Sequence, residues 1–416
     1  MFLLYSIFYS IGLIFLLPFE FFKRKKDLRK RWLKEKFGYF GELDTLDKKY
    51  IWIHAVSVGE VNASLPLVKK LREEYPDKEI VFSTITDTGQ ELATKKFSEG
   101  VYTVYLPFDL PFTLGRTLKK IKPLLLIIIE TELWPNLIRV FKRNSVPVIL
   151  LNGRMSDKSF KGYKTLSFFF KKVMNMVDFF GMQNVIYAER IEVFGIEPSK
   201  VFVLGNFKFD TQPVISLPEW VYTIKGMTIV AGSTHEGEED LIIETYKRLK
   251  DDIVDLNLII APRHPERFKD VEKILISKKM DYIKRSEIES NDKEIKTGVI
   301  ILLDTIGELS SVYGICDVAL IGKSFKGYGG QNPLEPAFWG KAIVCGPHME
   351  NFPIIEEFYL EGAAIKATEE RLYEILRTLL KRPEVIEQMG IKAKNLYQKN
   401  SGAVDKAMEI LRRFIS

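Results

Sequence analysis

The stretch "LLLIIIETELWPN", residues 124–136, decides how this chain folds. Its first six residues are apolar without alternation, which suits a strand buried on both faces of a parallel sheet. The run stops at a carboxylate, Glu130, where strands of such sheets present their functional residues. Outward from it lie further short apolar runs: "YIWIHAV" (50–56), "EIVFSTI" (79–85), "VYTVYLP" (101–107), "VPVILLN" (146–152) and "VFVLGNF" (201–207). Amphipathic segments such as Ala63–Glu74 ("ASLPLVKKLREE") separate them, giving a βαβα order and hence a doubly wound sheet.

A second set of runs starts at Met227: "MTIVAGS", "LNLIIAPR", "GVIILLD", "DVALIGK" and "KAIVCGP". Between the sets, Asp210–Lys225 carries two prolines and little periodicity, and from Glu369 onward the pattern is helical. The 416 residues exceed what one core holds. The expected class is therefore α/β, with two Rossmann-like domains facing a cleft at the carboxyl ends of both sheets. The expected division is an N-terminal anchor with its basic flank over 1–36, a first domain over 37–210, a linker over 211–225 and a second domain over 226–416.

Two cysteines are too few for a disulfide framework, and the four histidines show no metal-ligand spacing. No metal and no cofactor are expected. The net charge of +6 is concentrated in Lys23–Lys36, where nine basic residues meet Asp27 and Glu35. A nucleic-acid binder would spread its charge over a domain surface, so nucleic acid is excluded as a partner.

The basic segment follows the apolar stretch Phe2–Phe19, whose 18 residues reach roughly 27 Å as a helix. No basic residues precede it, which argues against a cleavable signal. The expectation is a membrane-spanning anchor with everything after it cytoplasmic, held against anionic lipid by Lys23–Lys36. The alternative is a helix lying in the interface, which Tyr5, Ser6, Tyr9, Ser10 and Pro18 would suit.

Strand ends in both halves are dense in polar residues. Gly232–Glu239 nearly fits a P-loop, but Glu238 stands where the lysine must be, which disfavours nucleoside triphosphate hydrolysis. No G-x-G-x-x-G follows the early strands, against a hydride-transferring enzyme. Glycine-bearing turns in the second half suit a single phosphate. Arg263 and His264 sit at a strand end, where a guanidinium could grip it. In "GYGGQNPLEP" (327–336) the glycines permit close backbone approach, and Glu335 could accept hydrogen bonds from two ribose hydroxyls.

In this order "WIHAVSVGE", "ETELWPN", "STHEGEE", "PRHPERF", "GELS" and "GGQNPLEP" resemble the Kdo transferases of lipopolysaccharide biosynthesis. The resemblance runs from the N-terminal apolar segment to about residue 350. It implies the GT-B fold and metal-free, inverting transfer of 3-deoxy-D-manno-octulosonic acid (Kdo). The donor would be CMP-Kdo, the acceptor a lipid A precursor, and the place the cytoplasmic face of the inner membrane. It makes Glu60 the general base, kept ionised by the N–H groups of a helix start, with Glu130 and Lys208 as further catalytic residues. Ser233, Thr234, Arg263, His264, Gly307, Glu308, Leu309, Asn332 and Glu335 would bind the donor. Ser57, Gly59, Arg154 and Lys161 would meet the acceptor, with Lys158 and Lys164 beside them. The rival readings are a UDP-sugar transferase or epimerase on the same fold, and a non-catalytic nucleotide-binding protein tethered to the membrane.

Overall fold

A computed structural model describes residues 1–416 except 42, 44–48, 98, 211–215, 289–294, 296 and 416. The chain forms two compact units, Met1–Thr211 with Ser401–Ser416, and Gln212–Asn400.

The first unit is built on a parallel sheet of β1 (Tyr50–His54), β2 (Glu79–Thr84), β3 (Val101–Tyr105), β4 (Pro123–Ile129), β5 (Val148–Gly153), β6 (Phe179–Met182) and β7 (Val201–Val203). The strand order is β3-β2-β1-β4-β5-β6-β7. The opening stretch is β4, and its successive side chains enter two different cores. Leu126 and Ile128 join Trp52 and Phe141 on one face, while Leu125, Ile127 and Ile129 join Leu67 and Leu411 on the other. That double burial is why the run shows no alternation.

The second unit repeats the plan with β8 (Met227–Thr234), β9 (Leu256–Pro262), β10 (Tyr282–Lys284), β11 (Ile300–Leu302), β12 (Val318–Ile321), β13 (Ala342–Cys345) and β14 (Ala364–Lys366). Its parallel order is β10-β11-β9-β8-β12-β13-β14. Leu258 and Ile260 of β9 face one core, and Ile259 and Ala261 the other.

The division differs from the expected one at two places. The helix Ala403–Ile415 belongs to the first unit, where Val404, Met408 and Leu411 are buried beside Leu67 and Leu71. Asp210 fixes its start by accepting from the backbone N–H groups of Gly402 and Val404, at 2.5 and 2.6 Å. Periodicity reveals an apolar helix face but not which core covers it. Of the expected linker, 211–215 lie outside the described residues, while Trp220 and Val221 are buried in the second unit's core.

Among the described residues, two helices precede β1. Helix α1 (Phe2–Lys23) is long and apolar enough to cross a membrane, by length and composition. Pro18 lies inside it. One face packs on the first unit: Phe2 and Tyr5 against its main core, then Tyr9, Leu13, Leu17 and Phe21 against Trp32, Tyr105, Phe108 and Leu110. Helix α2 (Lys26–Lys36) covers the edge strand β3, with the Arg31 guanidinium donating to the Thr103 carbonyl and Glu35 accepting from the Tyr105 N–H. An open edge would otherwise invite pairing with another chain.

Candidate active site

In the first sheet the strand order reverses between β1 and β4, the switch point where α/β proteins bind ligands. Glu60 and Glu130 flank that point. Glu60 lies in the first turn of α3 (Val58–Glu74), which starts four residues after β1. Its carboxylate accepts from the Val56 N–H at 2.6 Å and from the Ser57 hydroxyl at 3.1 Å. These bonds favour the ionised form, as expected of a helix start. They do not prevail. Burial, reinforced by the nearby charges of Glu130 and Glu132, pushes the Glu60 carboxyl up to about 7. The expected strongly ionised, weakly basic carboxylate is therefore replaced by one poised near neutrality.

Glu130 has φ of 60°, a left-handed backbone that costs a non-glycine residue roughly 1–2 kcal/mol. Such strain gathers at functional positions. Burial raises its carboxyl, with Lys208 and Arg154 pulling it down. Burial lowers the Lys208 ammonium, against the favourable pull of Glu130. The structure thus brings Glu130, Arg154 and Lys208 into one electrostatic group, with Glu60 joined to it through Glu130.

Lys208 sits in a single helical turn, Phe207–Asp210, that two asparagines hold. The Asn152 side-chain oxygen accepts from the Phe207 N–H at 3.1 Å, and Asn206 accepts from the Lys208 N–H at 3.0 Å. Asn152 is fully buried near the end of β5 and also left-handed, with φ of 55°. Glu132, Asn152 and Asn206 were not singled out from sequence. Their signal was polar density at strand ends, which does not tell an inward residue from an outward one.

Around Gly59, an added Cβ would meet only the Ser57 hydroxyl oxygen at 3.8 Å, leaving open space beside Glu60. Lys158, Lys161 and Lys164 are exposed on the helix Asp157–Thr165, and no described contact joins Lys161 to the Glu130 group. His54 is fully buried with Nδ1 against Ser83, and burial drives its pKa down to about 3, so it is a neutral core residue.

The second sheet reverses between β8 and β12. Ser233 near the end of β8 and Lys323 just past β12 are both left-handed, each with φ of 56°. The two segments touch through Gly322, where a Cβ would lie 2.2 Å from the Ser233 carbonyl oxygen. Glu238, the residue in the P-loop lysine position, is fully buried and ties these segments together. It accepts from the backbone N–H groups of His235, Lys323 and Phe325 at 3.0, 2.7 and 2.9 Å. Here a carboxylate uses main-chain donors that a P-loop would turn toward phosphate.

Of the expected donor-binding residues, several converge. The Arg263 N–H donates to the Thr234 carbonyl at 3.0 Å, and the exposed His264 ring lies edge-on to His235 with centroids 5.5 Å apart. Asn332 donates to Glu335 at 3.3 Å and accepts from the Leu334 N–H at 3.1 Å. Burial raises the Glu335 carboxyl, with Asn332 and the Arg263 charge opposing. Leu309 lies close to Gly232, and Gly307, with φ of 96°, opens on free space. Two side chains are otherwise engaged. The Thr234 hydroxyl donates to Glu239 at 3.1 Å, and the Glu308 carboxylate is held by Arg285 through bonds of 2.9 and 3.0 Å and by the Thr305 hydroxyl. Glu308 therefore braces the 305–309 loop.

These two switch points stand in a chain with known relatives. The sequence model of the 3-deoxy-D-manno-octulosonic-acid transferase (kdotransferase) family matches residues 31–211. A 3-deoxy-D-manno-octulosonic acid transferase of Haemophilus influenzae is 32% identical, over 92% of this chain and 91% of its own length. The chain belongs to the Kdo transferase family. Another family member, from Aquifex aeolicus, is also 32% identical, over 88% of this chain and 94% of its own. Among solved structures, UDP-GlcNAc 2-epimerase of Neisseria meningitidis superposes with a TM-score of 0.56 at 13% identity, covering 88% of this chain and all of its own. MurG of Acinetobacter baumannii gives 0.53 at 12%, covering 87% and 99%. At such identities these likenesses show the fold alone, which is of the GT-B type. This Kdo transferase family member is accordingly a glycosyltransferase.

Proposed function

We propose that this protein transfers Kdo from CMP-Kdo to a sugar hydroxyl of a lipid A precursor, with inversion, at the cytoplasmic face of the inner membrane. The observation that carries the reading is Glu60 at the switch point of the first sheet, raised to about 7 and next in the chain to Gly59, where an added Cβ would meet open space. A base with this pKa is half ionised near neutral pH and strong enough to accept a proton from an attacking hydroxyl. The hydroxyl oxygen forms a bond to the anomeric carbon of Kdo while that carbon's bond to the CMP phosphate oxygen breaks. CMP departs with the electron pair, and the hydroxyl proton passes to Glu60.

Lys208 and Arg154 supply positive charge for the sugar acid's carboxylate or the departing phosphate, and Glu130 balances the cationic character that develops at the anomeric carbon. Arg263, Asn332 and Glu335 hold CMP. The lysines of the helix Asp157–Thr165 meet the acceptor's phosphates, and α1 with Lys23–Lys36 keeps the enzyme on the membrane.

Incubation with CMP-Kdo and a tetraacylated lipid A precursor, followed by mass measurement, tests this. The expected product is heavier by one or more Kdo residues, formed equally well in EDTA. No mass gain, or binding of UDP in preference to CMP, rejects the assignment.

A further inference from the structure

We infer that α1 does not cross the bilayer but lies in the plane of its surface, docked along the first unit, with its outer face in an anionic phospholipid leaflet. This rests on the proposed membrane association and specifies its geometry. The helix is 22 residues, roughly 33 Å, and it is fastened at both ends. Near the first end, the Tyr5 hydroxyl donates to Asp109 at 2.8 Å and the Asn136 amide donates to Ser6 at 2.9 Å. Just past the other, Arg24 donates to Asp87 at 3.1 Å and lies 4.1 Å over the Trp32 ring.

A spanning orientation with these contacts intact would carry Asp109, Asn136 and Arg139 into hydrocarbon, at several kcal/mol for each charge. Spanning after undocking would instead expose Tyr5, Ser6, Tyr9 and Ser10 to lipid and uncover the apolar surface of Phe108 and Leu110.

The outward face has the complementary character. Phe8, Phe15 and Phe22 are 71%, 77% and 68% exposed, and even the residues on the packed face are only half-buried. Two neighbouring elements extend the apolar surface. Phe168, 61% exposed, precedes the Phe169 ring that meets Phe2 at 5.3 Å, and Phe112, 56% exposed, follows Leu110. A guanidinium stands over an aromatic ring at each end: Arg139 over Phe2 at 4.5 Å, and Arg29 over Phe22 at 5.5 Å. An in-plane helix sets both cations at headgroup depth, beside lipid phosphates.

A second copy of the chain could also cover an apolar face. It would bring two sets of the basic Lys23–Lys36 segment together, and the charge favours the lipid. The surface also leads to the acceptor. The helix Ser167–Met174, which packs on Phe2, follows directly on the one whose Tyr163 hydroxyl donates to the Thr131 carbonyl at 3.4 Å, beside Glu130. In-plane docking therefore puts the Glu130 loop at the rim of the leaflet that holds the substrate.

The test uses the full chain and sealed vesicles of phosphatidylethanolamine and phosphatidylglycerol, with no sugar transfer, so its outcome is independent of the catalytic assignment. Cys316 and Cys345 are buried, so a fluorophore reports only an introduced thiol. With a nitrobenzoxadiazole label on Leu4→Cys and protein added from outside, dithionite outside intact vesicles should bleach the label completely. A label protected until the vesicles are lysed means that the helix crosses, and the proposal fails. Oxidised Phe2→Cys/Phe169→Cys protein, with α1 locked to the domain, should bind vesicles within about 3-fold of the parent, and loss of binding overturns docking. Phe8→Glu/Phe15→Glu should weaken vesicle binding by roughly 100-fold or more. If that variant binds vesicles normally but dissociates a lipid-free dimer, the face belongs to a second copy and the proposal is wrong.

Discussion

At the scale of single residues, Glu60 sets the behaviour of the site. Two hydrogen bonds hold it and still lose to burial and to two neighbouring carboxylates. Glu60→Gln should cut transfer by about 10²- to 10⁴-fold while CMP affinity is kept, as kinetics and calorimetry would show. The rate of the parent enzyme should rise from pH 6 to pH 8 as Glu60 loses its proton. Stability should move the other way. A carboxyl raised from 4.5 to about 7 favours the fold while protonated, and that contribution is lost as pH rises through 7. Glu60→Gln should therefore melt higher than the parent at pH 8, by about 1–3 kcal/mol, and little differently at pH 5. Equal melting shifts at both values would show that the charge is not the cause. The residue types at this site were legible in the sequence, and so was the place of Glu60 at a helix start. Its pKa was not, because Glu130 and Glu132 lie some seventy residues away along the chain and meet it only across the sheet.

At the scale of elements, each switch point depends on backbone that ordinary side chains resist. Gly322 lets the chain just past β12 touch the end of β8, and the partner atom is the Ser233 main-chain carbonyl, which cannot swing aside. Gly322→Ala should force the two apart at a cost of ~1–3 kcal/mol and weaken CMP binding, measured by calorimetry, with thermal unfolding as the control for global damage. In the first sheet, Asn152→Ala removes the acceptor for the buried Phe207 N–H, which should cost about 1–3 kcal/mol. It should also lower turnover, because the freed turn carries Lys208. A stability loss with unchanged turnover would separate Asn152 from the site.

At the scale of the whole molecule, the helix Ala403–Ile415 closes the first unit from the far end of the chain. Ending the chain at Gly402 strips the cover from Leu67 and Leu71 and removes the buried Val404, Met408, Leu411 and Ile415. At ~1.5–3 kcal/mol for each such side chain, that is comparable to the entire stability of a domain. The truncated protein should lose the first unit's cooperative unfolding transition, by calorimetry, while the second unit's transition persists.

The unbroken apolar runs fixed two parallel sheets from local pattern alone, since only strands buried on both faces need no polar side. The polar strand ends marked where chemistry would gather, and the ordered motifs pointed to the family. Tertiary structure alone decided which core takes the last helix, and that Glu238 spends its carboxylate on main-chain N–H groups inside the protein. It also decided that Glu60 titrates near neutrality and that α1 has a protein-facing side. Each of these depends on neighbours far apart in the chain, and burial and Coulomb energy are set by distance in space.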